Sequence, residues 1–185
     1  MTQTVSTIGH SNRSIEEFVE LLKRNHIACV LDIRTVPKSR HNPQFGQDQL
    51  PGSLAAAGIE YRYLAGLGGL RKPRPDSPNA GWRNTSFRGY ADYMQTEEFA
   101  RNVDTVFELA QERRCALMCA EAVPWRCHRS LVADALLVRG IPVEEIIGPQ
   151  TPRPHKLTPF AHVDGLHITY PSDTQRQEEA QGDLF

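Results

Sequence analysis

No stretch of this chain is apolar for long enough to cross a bilayer, so no membrane partner is expected. The opening residues MTQTVSTIGHSN lack the basic start and apolar core of a secretion signal, and a cytoplasmic location is the expectation. Net charge is nearly absent as well. At -1 it gives no global field to draw the protein onto nucleic acid or membrane. Cysteine is sparse. Where thiols stay reduced, Cys29, Cys115, Cys119 and Cys127 are core, catalytic or ligand groups before they are disulfides. Together with His128 they lack the paired short spacings of a structural zinc site, so no metal is expected. Gly66-Leu67-Gly68-Gly69 is not the spaced glycine fingerprint of a dinucleotide site, and no cofactor is assigned. No internal repeat is present.

What the chain does have is alternation of strand and helix patterns. Val5–Ile8 predicts a first strand. Ser14 with Glu17 reads as a capping box opening a helix whose apolar face is Ile15, Phe18, Val19 and Leu22. The run ACVLDI, residues 28–33, is continuous enough to be a strand covered on both faces. A helix over Leu50–Ala57 stops at Gly58, and Ile59–Leu64 is a third strand. Residues 65–85, rich in Gly, Pro and Arg, predict a long loop that orders on demand. Thr96 caps the next helix, with Phe99, Val103, Val106, Phe107 and Ala110 on its buried face. Then come strand Ala116–Cys119, a Pro-Trp loop, and a helix from about His128 to Gly140. Short strands follow at Val143–Ile147 and Leu166–Tyr170. The pattern predicts an α/β fold, a mainly parallel open sheet of about five or six strands with helices on both faces. One domain is expected over residues 1–171. The polar tail 172–185 is expected to be disordered.

Polar residues cluster after three of these strands. Gly9, His10, Ser11, Asn12 and Arg13 follow the first; Asp32, Arg34, Ser39 and Arg40 follow the second; Cys119, Glu121, Arg126, Cys127, His128 and Arg129 follow the fourth. If the strands are parallel, all three groups meet at the carboxyl edge, where open α/β sheets bind ligands. His10 is a candidate acid or base, or a loop histidine tied to a carboxylate. Asp32 can orient it, or pair with Arg34 or Arg13. Glu121 can be an acid, a base or a salt-bridge partner. Cys127, flanked by Arg126, His128 and Arg129 near a helix start, is a candidate thiolate nucleophile or a packing residue. Ser11, Arg34, Ser39, Arg40, Arg126, His128 and Arg129 are candidate ligands for an anion. Between Arg62 and Arg88 six basic residues face a single acid, Asp76, which adds to that expectation. Trp82, Phe87, Tyr90 and Tyr93 can stack on bases or fold back as core.

Several blocks carry a family resemblance. Thr7-Ile8-Gly9-His10-Ser11-Asn12, Asp32-Ile33-Arg34 with Pro37-Lys38-Ser39-Arg40, Cys119-Ala120-Glu121 followed by Cys127-His128-Arg129, and His155-Lys156-Leu157-Thr158-Pro159 together resemble the DUF488 family. The resemblance implies a bacterial cytoplasmic α/β protein and brings no activity with it. The order strand, cysteine, loop, arginine, serine, helix is also similar to rhodanese and Cys-phosphatase loops. Here the interval from Cys119 to Arg126 is longer, and Glu121 inside it would repel an anion. The last five residues, Gln181-Gly182-Asp183-Leu184-Phe185, resemble the bacterial sliding-clamp-binding peptide, with Gln181, Leu184 and Phe185 as its partner-binding positions.

The functional expectation is therefore a phosphate-bearing ligand, a nucleotide or nucleic acid, held at the carboxyl edge, in an enzyme of DNA metabolism or repair. His10, Asp32, Glu121 and Cys127 would carry its chemistry. The alternatives are a non-catalytic nucleic-acid-binding or adaptor protein recruited to the sliding clamp by its tail, and a rhodanese-like or phosphatase-like Cys enzyme.

Overall fold

Residues 29–32 and 115–119 are short, mostly apolar strands, as burial on both faces requires, and the strand Val5–Gly9 beside them buries Ser6 and Thr7 as well. A computed structural model describes residues 3–182. Strands β1 (Val5–Gly9), β2 (Cys29–Asp32), β3 (Glu60–Tyr63), β4 (Cys115–Cys119) and β5 (Val143–Ile146) pair in parallel. A short β6 (Arg153–Pro154) closes one edge antiparallel to β5. The sheet order is β3-β2-β4-β1-β5-β6, so β1, β2 and β4 end side by side. Helices α1 (Ile15–Arg24) and α2 (Leu50–Ala56) bury Phe18, Leu22, Leu50 and Leu54 against Ile8, Val30, Ala116 and Met118 on one face. On the other face α3 (Thr85–Tyr93), α4 (Glu97–Glu112) and α5 (Arg129–Val138) pack on Leu31, Cys115 and Leu117. Alternate residues of one strand thus feed two separate cores. A small hairpin of β7 (His162–Asp164) and β8 (His167–Thr169) follows. Among the described residues no helix is long and apolar enough to cross a membrane.

Two expectations change. The loop before α3 is ordered by named partners rather than waiting for a ligand. Asp92 accepts from Arg74 N, Ser77 Oγ and Asn79 Nδ2, while Tyr90 and Tyr93 donate to the carbonyls of Leu67 and Gly66. The aromatics Tyr90 and Tyr93 accordingly belong to the core. The tail also begins as a helix, α6 (Asp173–Gly182), with no buried residue. Its start is a capping box in which Ser172 Oγ accepts from Gln175 N and Gln175 Oε1 accepts from Ser172 N. Gln181 is exposed on α6; Leu184 and Phe185 lie outside the described residues.

The segment after β6 is tied to α5 by a buried charge. Asp134 accepts from Thr158 N, Thr158 Oγ1 and Tyr170 Oη, and His155 bridges Asp134 and Glu145 at 2.8 Å each. With a carboxylate at both ring nitrogens, His155 is an imidazolium. Burial opposes its charge, but the two carboxylates outweigh it and raise the pKa from 6.5 to about 9. A group whose pKa is raised by folding stabilises the fold fully below its unfolded value and loses that effect as pH climbs through the folded one. Denaturation measured across this range should therefore show up to about 3 kcal/mol of stability at pH 6 fading between about pH 6.5 and 9. His155→Gln should flatten that slope.

Candidate functional site

Parallel pairing of β1 with β4 and of β2 with β4 brings Gly9, Asp32 and Cys119 to one edge. The loop after β4 then runs back over the end of β1. His10 N and Ser11 N donate to the carbonyls of Cys119 and Ala120. The approach is so close that a Cβ at Gly9 would lie 1.8 Å from Glu121 O, and only glycine allows it.

Asp32 is fully buried and fully used. It takes Arg34 Nε at 2.9 Å, Arg34 Nη2 at 2.7 Å, the Arg34 backbone N–H and the Tyr61 hydroxyl at 2.6 Å. The pair with Arg34 is therefore the outcome for Asp32, and it locks the guanidinium in place. Arg34 Nη1 reaches on to His10 Nε2 at 3.4 Å. His10 Nδ1 donates to Ser11 O at 2.7 Å, its ring stacks on Phe45, and 2% of its surface is exposed. Burial pushes its pKa down to about 4. The Ser11 carbonyl pulls the other way, and the Arg34 charge adds to the fall. His10 is thus a neutral imidazole behind Arg34, almost wholly buried and not among the residues that line the open cavity.

Arg129 also departs from expectation. Its guanidinium turns inward and donates through Nη1 to Glu121 O and through Nη2 to Ala122 O. It supports the loop, giving both terminal nitrogens to backbone carbonyls, and with 1% of its surface exposed it is not placed to hold an anion.

The open space at this edge is a cavity of about 510 Å³. Arg34, Glu121, Arg126, Cys127 and His128 line it, joined by Lys38, Asn84, Ser86 and Cys119, with Val36, Leu70 and Phe87 as apolar walls. Glu121 is exposed and uses Oε1 on Val123 N. Ser39 and Arg40 line an adjoining groove that shares Lys38 with the cavity, and Ser39 Oγ accepts from Asn42 N. Ser11, held at a φ of 53°, lines neither. The turn Pro124–Arg126 divides two spaces. Arg126 faces the cavity, whereas Trp125 faces a second cleft shared with Trp82 and Phe160.

Cys127 and His128 meet at the floor. His128 Nε2 lies 3.0 Å from Ile33 O, so that nitrogen carries the proton and Nδ1 is left facing Cys127 Sγ at 3.7 Å. The Cys119 thiol, donating to Cys127, holds Cys127 well below the usual thiol range against the effect of its burial, and the Arg129 charge adds to the fall. Cys119 moves up in exchange. Cys119, expected at the carboxyl edge as the last residue of its strand but not among the candidate site residues, joins Cys127 and His128 there.

The sequence profile of the family described as "Domain of unknown function DUF488" matches residues 14–136. The chain belongs to the DUF488 family. No curated protein and no solved structure matched it. The matched span contains Asp32, Arg34, Glu121 and the Cys119–Cys127–His128 cluster. His10 and the His155 block of this DUF488 protein lie outside it.

Arg129→Met keeps the bulk and removes the donors. It should cost about 2 kcal/mol in chemical denaturation by stranding the two carbonyls. Arg129→Lys should recover only part of this, since a single ammonium cannot serve both.

Proposed function

We propose that the carboxyl-edge cavity of this DUF488 protein binds a phosphate-bearing ligand, a nucleotide or a short stretch of nucleic acid. The observation that carries this reading is the pairing of outward cations with apolar walls in one cavity. Lys38 and Arg126 are exposed there, with none of the described ion pairs engaging them, while Val36 and Leu70 are 56% and 74% exposed beside them. Cations suit phosphate, and apolar walls suit a sugar or base. The groove carrying Ser39 and Arg40 extends the cationic path through Lys38, which favours a ligand longer than one nucleotide.

Titration of the full chain with nucleotides and with a labelled single-stranded oligonucleotide tests this. Arg126→Ala and Lys38→Ala should each weaken binding about tenfold and lower the salt slope by about 1. Arg40→Ala should weaken the oligonucleotide alone. Binding that ignores both salt and these substitutions would remove the reading.

Recruitment to a bacterial sliding clamp is a second reading. Helix α6 buries none of its residues; Gln175 and Arg176 near its start bond to Ser77, Ala80 and Phe160, and Gln181 at its other end is exposed. Titration against a clamp should give roughly micromolar affinity, lost in the Leu184→Ala, Phe185→Ala double variant. No binding at high concentration would end this reading.

A further inference from the structure

The thiol cluster at the cavity floor has the composition and geometry of a coordination site. Among the described residues, Cys119, Cys127 and His128 are the one group of three or more His, Cys, Asp or Glu side chains whose ligand atoms converge, all within 4.8 Å of one another. A tetrahedral zinc with sulfur and nitrogen ligands needs those atoms roughly 3.5 to 3.8 Å apart. The Cys127 Sγ–His128 Nδ1 distance of 3.7 Å already falls in that range, and with no pair beyond 4.8 Å the closure required is about 1 Å at most.

The histidine is oriented as a ligand would be. Its Nε2–H is held by the Ile33 carbonyl at 3.0 Å. This is the supporting contact that metal-bound imidazoles make, and it turns the Nδ1 lone pair toward the thiols. Tyr90 packs on the ring at 5.0 Å. Gly69 is also close, and a Cβ there would come within 2.6 Å of Nδ1; glycine leaves that volume free. The contrast with the second cysteine pair is direct. Cys29 and Cys115 face each other across β2 and β4 but are wholly buried and have no third ligand.

We propose that Cys119, Cys127 and His128 bind one thiophilic divalent ion, zinc being the best match, with the fourth coordination position open to the cavity. Two thiolates would balance the ion's charge in a place poorly reached by water. All three ligands line the cavity, so an exogenous group can complete the tetrahedron. Three protein ligands and an open position is the arrangement that acidifies a bound water. Glu121 is the one carboxylate among the side chains lining the cavity, and it lies outside the ligand trio. The site stands apart from the anion reading, because it rests on ligand geometry and not on Lys38 or Arg126.

The full chain, prepared metal-free under reducing conditions, is titrated with zinc and separately with cobalt(II), with no nucleotide present. The expected result is one zinc per chain, together with the visible absorption of tetrahedral cobalt and a thiolate-to-cobalt charge-transfer band. Zinc should protect Cys119 and Cys127 from alkylation in peptide mapping. Cys119→Ser, Cys127→Ser and His128→Gln should each lower zinc affinity by about 100-fold or more, beyond what loss of a merely supporting contact gives. The Cys29→Ala, Cys115→Ala double variant should keep the site. The protection assay on the unmodified chain makes the outcome independent of whether any variant folds. Absence of stoichiometric zinc, a cobalt spectrum without thiolate charge transfer, or isolation of the chain with Cys119 and Cys127 joined as a disulfide that zinc does not prevent would each overturn the proposal.

Discussion

Arg129 brings a full positive charge to a place where 1% of its surface meets water, and the site depends on what that charge holds. An isolated guanidinium could not be buried there without pairing. Here its two terminal nitrogens meet the carbonyls of Glu121 and Ala122, whose own need for donors is the other half of the bargain. The loop they belong to crosses the end of β1 so closely that Gly9 has no room for a side chain. That crossing sets where β4 releases Cys119 and where the chain turns into Cys127 and His128. A single buried arginine thereby fixes the floor of the cavity.

Arg129 is one of three arginines spent on construction. Arg13 donates to the carbonyls of Gly9 and Ile147 at the ends of β1 and β5, and Arg34 is held by Asp32. Strands running in parallel all end in carbonyls at the same edge, and inward guanidiniums are a natural way to satisfy those that no neighbour reaches. The positive charge at this edge therefore has two layers. One is internal and structural. The other, made of Lys38, Arg40 and Arg126, faces outward and is free to act on something outside the chain.

The architecture was legible because its signals are local and repeated. Ser14 with Glu17, Thr96 with its following acids, and the apolar runs of β2 and β4 each appear where the residue chemistry places them. The convergence of three polar clusters was also readable, since it follows from parallel pairing alone. What stayed hidden was direction. His10 and Arg129 look from sequence like groups that meet a ligand, yet they are turned into the protein, because the backbone carbonyls that capture them have no sequence signature; Arg34 lines the cavity but is held by Asp32. Residue type also concealed Cys119, which reads as the last apolar position of a strand. Helix α6 was obscured by its polar composition, although its capping pair, Ser172 and Gln175, was in plain view.

The turn Pro124–Arg126 has a consequence for what the molecule presents to its surroundings. Arg126 and Trp125 are adjacent residues that face different spaces, so one peptide unit separates a cation in the cavity from an indole outside it. That indole is 58% exposed and has the Arg153 guanidinium 5.1 Å from its ring centre. Within one turn the chain therefore presents a cation to one space and an indole, paired with a second guanidinium, to another.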